Sequence, residues 1–229
     1  MRKDYTKEPQ YQSQISLRDS KGFTRLGLAT NLIWHQDPKR LVFILARYKF
    51  VAKMLSGMKK VLEVGCGDGF CSRVVRQEVG SVCAIDFDPL FVKDIIQHMD
   101  KKWKIDCMMH DMLSGPMKEK FNAAYSLDVI EHIPKAKEGK FVSNIVDSIT
   151  DEGVLIIGTP PIQSQVYASE SSKKGHVNCK DHSQLKKLLK KYFHNVFIFS
   201  MNDEVVHTGF YPMAHYLLAL CVGKKEQKR

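Results

Sequence analysis

Residues 61–70 read Val-Leu-Glu-Val-Gly-Cys-Gly-Asp-Gly-Phe, a short apolar run followed by three glycines at alternate positions. The apolar run predicts a buried strand, and the glycines predict a tight turn that leads into a helix. Glycine carries no side chain, so such a turn lets a nucleotide-like ligand lie against the backbone. The spacing is not the Gly-x-Gly-x-x-Gly of dinucleotide enzymes, because Phe70 occupies the place of the third glycine.

From Lys60 onward, candidate strands and helices alternate, which predicts an α/β fold with helices on both faces of a mostly parallel sheet. Polar residues 202–204 separate the last two strands without a helix, so we expect a hairpin-like return and an antiparallel last strand. The seven candidate strands are 60–64, 81–86, 104–109, 121–126, 153–158, 194–200 and 213–221.

The length and charge of the chain limit its organisation and its partners. The 229 residues predict a partly ordered N-terminal arm and helical cap over 1–57, one domain over 58–222 and a basic tail over 223–229. The net charge of +10 weakly favours an anionic substrate or nucleic acid. No apolar run reaches about 18 residues and no signal peptide is recognisable, so we expect a cytoplasmic protein without a membrane span.

Two acidic residues stand where predicted strands end. Asp86 closes the second strand, about twenty residues beyond the glycines, where a carboxylate can bind ribose hydroxyls. Asp111 follows the third strand, and its carboxylate could accept a hydrogen bond from an adenine amino group beside Met112. Ligands of open parallel sheets bind beyond the carboxyl ends of the strands, so these positions predict one nucleoside site.

Glu63 with its glycine turn, Asp86, Asp111-Met112 and the segment Ser-Leu-Asp-Val-Ile-Glu-His at 126–132 together resemble a known family. The order and spacing are similar to those of class I S-adenosylmethionine-dependent methyltransferases, in the small-molecule branch with the ubiquinone-type methyltransferase pattern. The resemblance covers residues 58–160 well and the rest in outline. It implies a Rossmann-like, seven-stranded fold with a reversed last strand, and an enzyme that uses S-adenosylmethionine and releases S-adenosylhomocysteine.

The resemblance also implies roles for individual residues. The glycine turn would hold the methionine part of the cofactor, Asp86 the ribose, and Asp111 with Met112 the adenine. The segment from Leu127 to His132 would line the cofactor and face the substrate. The predicted cofactor-binding residues are Glu63, Gly65, Cys66, Gly67, Gly69, Asp86, Phe87, Asp111, Met112 and Leu127.

Three histidines are candidates for the general base that removes a proton from the acceptor. An imidazole with an ordinary pKa of about 6.5 suits that task. His132 follows the fourth strand, His176 follows the long segment after the fifth, and His207 lies between the last two strands. Metal binding by Glu131, His132 and His176 is an alternative that requires separate segments to converge, and the sequence predicts no metal.

Residues 159–180 predict a polar loop over this end of the sheet, which we interpret as a substrate lid. The predicted function is methyl transfer to oxygen or nitrogen of a small polar molecule, such as a sugar or glycan precursor. RNA or protein methylation is an alternative, although no basic and aromatic stripe favours nucleic acid as the partner. A non-catalytic protein that binds S-adenosylmethionine is the third hypothesis.

Overall fold

The computed structural model describes residues 4–99 and 101–226. Within these residues, eight strands form one sheet with helices on both faces, so the predicted fold class is confirmed. The strands are β1 Lys60–Val64, β2 Ser81–Asp86, β3 Asp106–Met109, β4 Phe121–Leu127, β5 Ile149–Thr159, β6 Phe193–Asn202, β7 Val205–His207 and β8 Tyr216–Lys224. The helices are α1 Gln12–Lys21, α2 Leu28–Gln36, α3 Pro38–Met54, α4 Ser72–Arg76, α5 Pro89–His98, α6 Lys135–Asp147, α7 Glu170–Gly175 and α8 His182–Leu189.

The sheet has the order β3-β2-β1-β4-β5-β8-β6-β7. β1 to β5 pair in parallel, whereas β8 lies antiparallel between β5 and β6. The reversed last strand is therefore confirmed. The central strands are buried on both faces, which explains their nearly continuous apolar sequence.

The predicted antiparallel return between the last strands is confirmed, since β8 pairs with β6, but the connection is longer than a simple hairpin. The turn at 202–204 leads into the extra strand β7, which pairs antiparallel with β6 at the edge of the sheet. The chain then passes through a short helical turn, Tyr211–Met213, and enters β8 in the interior of the sheet. The strand β7 has three residues, too few for an alternation of polar and apolar residues to be recognised. Most of β8 is buried, as expected of a strand with a neighbour on each side.

The two chain ends differ in detail from their predicted description. The N-terminal segment contains α1 and α2 ahead of the predicted helix α3. β8 continues to Lys224 and so includes the first residues of the predicted tail, while residues 227–229 lie outside the described residues. In the described parts of the chain, no helix has the length and apolar character needed to cross a membrane.

Two apolar layers hold the helices to the sheet. One layer packs α6 and α8 on the first face, with Phe141, Ile145 and Leu185 fully or almost fully buried. The other packs α3, α4 and α5 on the opposite face and includes Val51 and Val75. The layers fix the strands, so the loops at the carboxyl ends of the strands are presented on a rigid base.

A buried arginine on α3 fixes the loop that follows β4. Nη1 of Arg47 donates to both carboxylate oxygens of Asp128, at 2.9 and 2.8 Å. The guanidinium carbon lies 3.7 Å from the centroid of the Tyr216 ring, and the Tyr216 hydroxyl accepts a hydrogen bond from the Asp128 N–H. Asp128 has a φ of 57°, a left-handed conformation that these contacts stabilise.

We predict that Arg47→Met lowers the free energy of unfolding by about 1–3 kcal/mol, because the Asp128 carboxylate loses its donor. Chemical denaturation measures the change. Arg40→Met is the matched control, since Arg40 lies on the same helix and is exposed. Equal losses in the two variants would contradict a stabilising role for the contact with Asp128.

Candidate functional site

A cavity of about 830 Å³ opens at the carboxyl ends of β1, β2 and β4. Its floor is formed by the turns after these strands, and its cover by side chains of α2 and α3, among them Thr30, Ile33 and Leu41. The sequence did not predict α2 or its place over the site. Thr30 is held there because its N–H and hydroxyl donate to the Asp68 carboxylate, at 2.6 and 3.2 Å.

The glycine turn forms one wall of the cavity. Gly65 and Gly67 have φ values of 77° and 54°, which side chains other than glycine adopt only with strain. A Cβ atom at Gly65 would lie 2.3 Å from Cγ2 of Val129, in the loop after β4. Gly65 therefore allows the two loops to approach closely, and the N–H groups of Gly65 and Cys66 are held by the carbonyl of Ile85.

Asp86 lies opposite the turn and is almost fully buried. Its Oδ2 accepts a hydrogen bond from the Gly67 N–H at 3.0 Å, and its Oδ1 accepts one from the Asp88 N–H at 3.0 Å. A carboxylate can accept about four hydrogen bonds, so each oxygen has capacity for one hydroxyl donor. The position and chemistry of Asp86 thus fit the two hydroxyls of a ribose.

The next part of the wall comes from the residues after β2 and β3. Phe87 is 73% exposed and presents its ring beside Asp86. Asp111 accepts a hydrogen bond from the Leu113 N–H, which fixes the loop, and buried Met112 is held through its carbonyl by the Asn144 amide. An apolar surface beside a carboxylate fits an adenine ring with its amino group.

Most of the predicted cofactor residues are brought together by the structure. The residues of that set that line the cavity are Gly65, Cys66, Gly67, Asp86, Phe87, Asp111, Met112 and Leu127. Cys66 is buried, and a hydrogen bond with the Cys107 thiol together with burial raises the pKa of the Cys66 thiol. It therefore stays a neutral thiol, which disfavours a role as a nucleophile.

Glu63 and Gly69 lie outside the lining of this cavity in the described structure. A Cβ atom at Gly69 would lie 3.0 Å from the Ile95 side chain, so this glycine allows α5 to pack closely on the turn. The Glu63 carboxylate lies behind the turn and accepts a hydrogen bond from the Tyr48 hydroxyl at 2.8 Å. Burial raises the pKa of Glu63 to about 7.

The predicted base candidates are placed differently from one another. His132 lines the cavity, and His176 lines an adjoining cleft of about 630 Å³, with the two ring centroids 5.1 Å apart. His207 lies on the edge strand β7, where its ring bonds to Asn202 and to the Gly209 N–H. The structure does not bring His207 to the cavity, because β7 is separated from β5 by β8 and β6.

Glu131 lies close to His132 and His176. Its side chain is fully buried, and burial, with the negative charge of Asp128, raises the pKa of its carboxyl to about 8. Glu131, His132 and His176 can each offer one ligand atom, and these atoms lie within 4.8 Å of one another. The sequence predicted no metal. The metal-binding alternative required that two separate segments of the chain converge, and they do so here.

The predicted lid, residues 159–180, is folded in the structure. It contains a helical turn, Ile162–Tyr167, followed by α7, and the N–H of Ile162 donates to the carbonyl of Lys180, so that the two ends of the segment meet. The Gln165 side chain bonds to His176 at 2.6 Å. The segment thereby carries His176 to the cleft that adjoins the cavity, while its role as a lid stays a prediction.

Comparisons with known proteins agree with this geometry. Residues 61–153 match a family described as a methyltransferase domain. Over these residues, which are less than half of the chain, it is similar to methyltransferase domains. The predicted resemblance to class I S-adenosylmethionine-dependent methyltransferases is confirmed. The binding of ribose at Asp86 and of adenine beside Phe87 and Asp111 stays a prediction.

Curated proteins also show similarity to this chain. Tocopherol O-methyltransferase from Arabidopsis thaliana is 32% identical over 107 residues, which cover 44% of this chain and 30% of that protein. The ubiquinone biosynthesis O-methyltransferase of Rickettsia bellii is 25% identical over 124 residues, or 54% of this chain and 50% of that protein. The chain thus matches half or less of the length of these relatives.

Solved structures share the fold of this chain. The N-methyltransferase NodS from Bradyrhizobium japonicum, in complex with S-adenosyl-l-homocysteine, has a TM-score of 0.60 at 17% identity, covering 83% of this chain and 90% of NodS. The DhpI-SAM-HEP complex has a TM-score of 0.62 at 14% identity, covering 95% of this chain and 99% of DhpI. At this identity the likeness shows the fold alone.

We predict that the stability of the protein falls as the pH rises from about 4.5 to about 7, because Glu63 must ionise in a buried site. The pKa of Glu63 is higher in the folded state than in the unfolded state. The stability that the protonated carboxyl contributes is therefore fully present below this pH window and lost above it. Glu63→Gln removes this loss, which is at most about 3 kcal/mol. Denaturation at several pH values tests it, with exposed Glu152→Gln as the control. Identical pH profiles of the wild type and Glu63→Gln would contradict the assignment.

Proposed function

We propose that this chain transfers a methyl group from S-adenosylmethionine to a hydroxyl oxygen of a small molecule. The observation that carries the proposal is a single cavity with two chemically different ends. One end has the glycine turn, Asp86 and Asp111, and the other has His132, with buried Glu131 and with His176 of the adjoining cleft beside it. When bound, S-adenosylmethionine supplies a methyl group on a sulfonium sulfur, which keeps the electron pair of the broken bond and leaves as a thioether.

The residues of the first end bind and orient the donor. The turn at Gly65 and Gly67 provides bare backbone against which the methionine part can lie, and Asp86 can accept from both ribose hydroxyls. Leu127 is buried in the floor between the two ends. Contacts along the whole donor fix its orientation, and a fixed near-attack geometry can lower the barrier by several kcal/mol, up to about 7–11 in favourable cases.

The residues of the second end act on the acceptor. A hydroxyl must lose its proton when its oxygen forms the new bond to carbon, so a group that promotes this loss has to lie beside the oxygen. Glu131, His132 and His176 are the titratable groups gathered at this end. Burial, and then the charge of His132, lower the pKa of His176, which keeps its imidazole neutral at neutral pH.

The lining of the cavity bears on the chemical class of the acceptor. Its lining is largely apolar, with side chains such as Ile33, Ile44 and Phe141. This lining favours an acceptor with an apolar body and a hydroxyl at one end over the predicted sugar or glycan precursor. Two matched relatives are named O-methyltransferases, of tocopherol and of ubiquinone biosynthesis, which supports oxygen as the acceptor atom. The cytoplasmic location stays a prediction.

We predict that Asp86→Ala weakens binding of S-adenosylhomocysteine by about 1–3 kcal/mol, because the hydroxyls of the ribose lose a buried acceptor. Isothermal titration calorimetry measures this. Asp106→Ala serves as the control, since Asp106 is exposed and begins β3 at the opposite end of the sheet. Unchanged affinity in Asp86→Ala would remove this residue from the site.

We also predict methyl transfer from labelled S-adenosylmethionine to hydroxylated aromatic compounds, in preference to free sugars. The assay is a panel that contains both classes together with RNA and peptides. Label on RNA that disappears steeply with added salt would support the nucleic-acid alternative instead. Cofactor binding without label on any acceptor would favour the non-catalytic hypothesis.

A further inference from the structure

A second concave site adjoins the acceptor end of the cavity. It is the cleft of about 630 Å³ that His176 lines, between the segment after β5, the start of α6 and the end of α8. The ring centroid of His176 lies 5.1 Å from that of His132, which lines the cavity itself. The two sites therefore meet at the histidine rings, and a molecule that binds at His132 can extend past His176 into the cleft.

The lining of the cleft is basic. It contains four lysines and one glutamate, with a formal net charge of +3, and these residues are Lys135, Glu138, Lys180, Lys187 and Lys191. Glu138 forms an ion pair with Lys180, at 2.7 Å between Oε2 and Nζ, so these two charges neutralise each other. In the described parts of the chain, the ammonium groups of Lys135, Lys187 and Lys191 have no ion pair and no side-chain hydrogen bond.

Two walls of the cleft hold the charges in place. Lys187 and Lys191 are four residues apart at the end of α8, and like charges at this spacing repel each other. On the opposite wall, the buried Asn178 amide donates to the carbonyl of Ile133 and to Oε2 of Glu138, at 2.9 Å each, which fixes this segment to the start of α6. A bound anion would relieve the repulsion without a change in the walls.

Lys180 adds a buried donor to the lining. It is 5% exposed, and its Nζ bonds to the Glu138 carboxylate and to the carbonyl of Asn178 at 3.2 Å. An ammonium group has three N–H donors, so these two partners leave one donor for a ligand. The cleft thus combines exposed positive charges with one donor that is fixed by burial, and both features fit an anionic oxygen group.

We propose that this cleft, the lysine cleft, binds a carboxylate or phosphate group at the far end of the methyl acceptor. The proposal rests on the proposed function and specifies its substrate class, an apolar body with a hydroxyl at one end and an acidic group at the other. The hydroxyl lies beside His132, and the body passes His176. Ile162 and Val177 line the cleft and supply apolar contacts along that path.

The lining favours a small acid over nucleic acid. Surfaces that bind single-stranded RNA combine a basic groove with aromatic side chains on which the bases stack. Among the described residues, no Phe, Tyr or Trp lines the lysine cleft. Its three unpaired ammonium groups are enough to neutralise one carboxylate or phosphate, and they give a local reason for the basic balance of the chain.

Acceptors that differ only in the acidic group test the proposal on the full chain. The series consists of dihydroxyphenyl-alkanoic acids of increasing chain length, each paired with its neutral amide, and labelled S-adenosylmethionine gives KM and kcat. We expect the KM of the best acid to be about 10-fold lower than that of its amide, with an advantage that falls as salt is added. The kcat should differ less, because the acid lies away from the reacting oxygen.

Lys187→Met combined with Lys191→Met should raise the KM of the best acid about 3–30-fold and change that of its amide less than about twofold. Lys186→Met is the matched control, because Lys186 lies on the same helix, is exposed and does not line the cleft. Lys180 is left unchanged in this test, since its loss would leave Glu138 without its ion pair.

Equal KM values for acid and amide at every chain length, or equal effects of the double variant and Lys186→Met, would overturn the proposal and leave the proposed function standing. Calorimetry of the same acids in the presence of S-adenosylhomocysteine separates the two claims. Acid binding that the double variant weakens, in a protein without methyl transfer, would support the cleft and count against the proposed function. If no acid binds, the proposal is overturned.

Two further arms distinguish other sources of the negative charge. Inorganic phosphate that binds in the wild type but not in the double variant, and that stimulates transfer to the amides, would show that the cleft takes a free anion. Label on RNA that the double variant reduces would give the cleft to nucleic acid. Either result would overturn the assignment of the cleft to the acceptor.

Discussion

The hydrogen bond from the Gly67 N–H to the Asp86 carboxylate joins the ends of β1 and β2, and the donor end of the cavity depends on it. It holds the glycine turn in its left-handed conformation and orients the carboxylate toward the cavity. The carbonyl of Asp86 accepts from the His110 N–H at 2.9 Å, so the loop after β3 is fixed to the same residue. One acidic residue, through its side chain and its carbonyl, thus links three successive strand ends.

The acceptor end is built from a second set of contacts. Arg47 on α3 binds Asp128 after β4 and stacks on Tyr216 of β8, which ties the N-terminal cap and the last strand to the same loop. The segment after β5 completes this end through His176. Residues that precede β1 in the chain and residues of the last strand therefore both contribute to the place where the acceptor would bind.

Patterns of nearby residues predicted the parts of the fold that are local. β1 and β2 have the predicted limits, and the turn and the acids after the strands lie where alternation and glycine spacing put them. The entry of β8 between β5 and β6, the contact of Glu63 with Tyr48 and the meeting of His132 with His176 depend on pairs far apart in sequence. A single sequence contains no signal for such pairs, which is why the sequence offers His207 as a candidate beside the other two histidines and does not predict α2 over the cavity.

A crystal structure of the protein grown with S-adenosylhomocysteine tests the central claim most directly. The account predicts that the ribose hydroxyls lie within hydrogen-bond distance of Asp86, with the sulfur between the glycine turn and the loop after β4. Density for the ligand at another surface, or in this cavity with Asp86 out of contact, would contradict it.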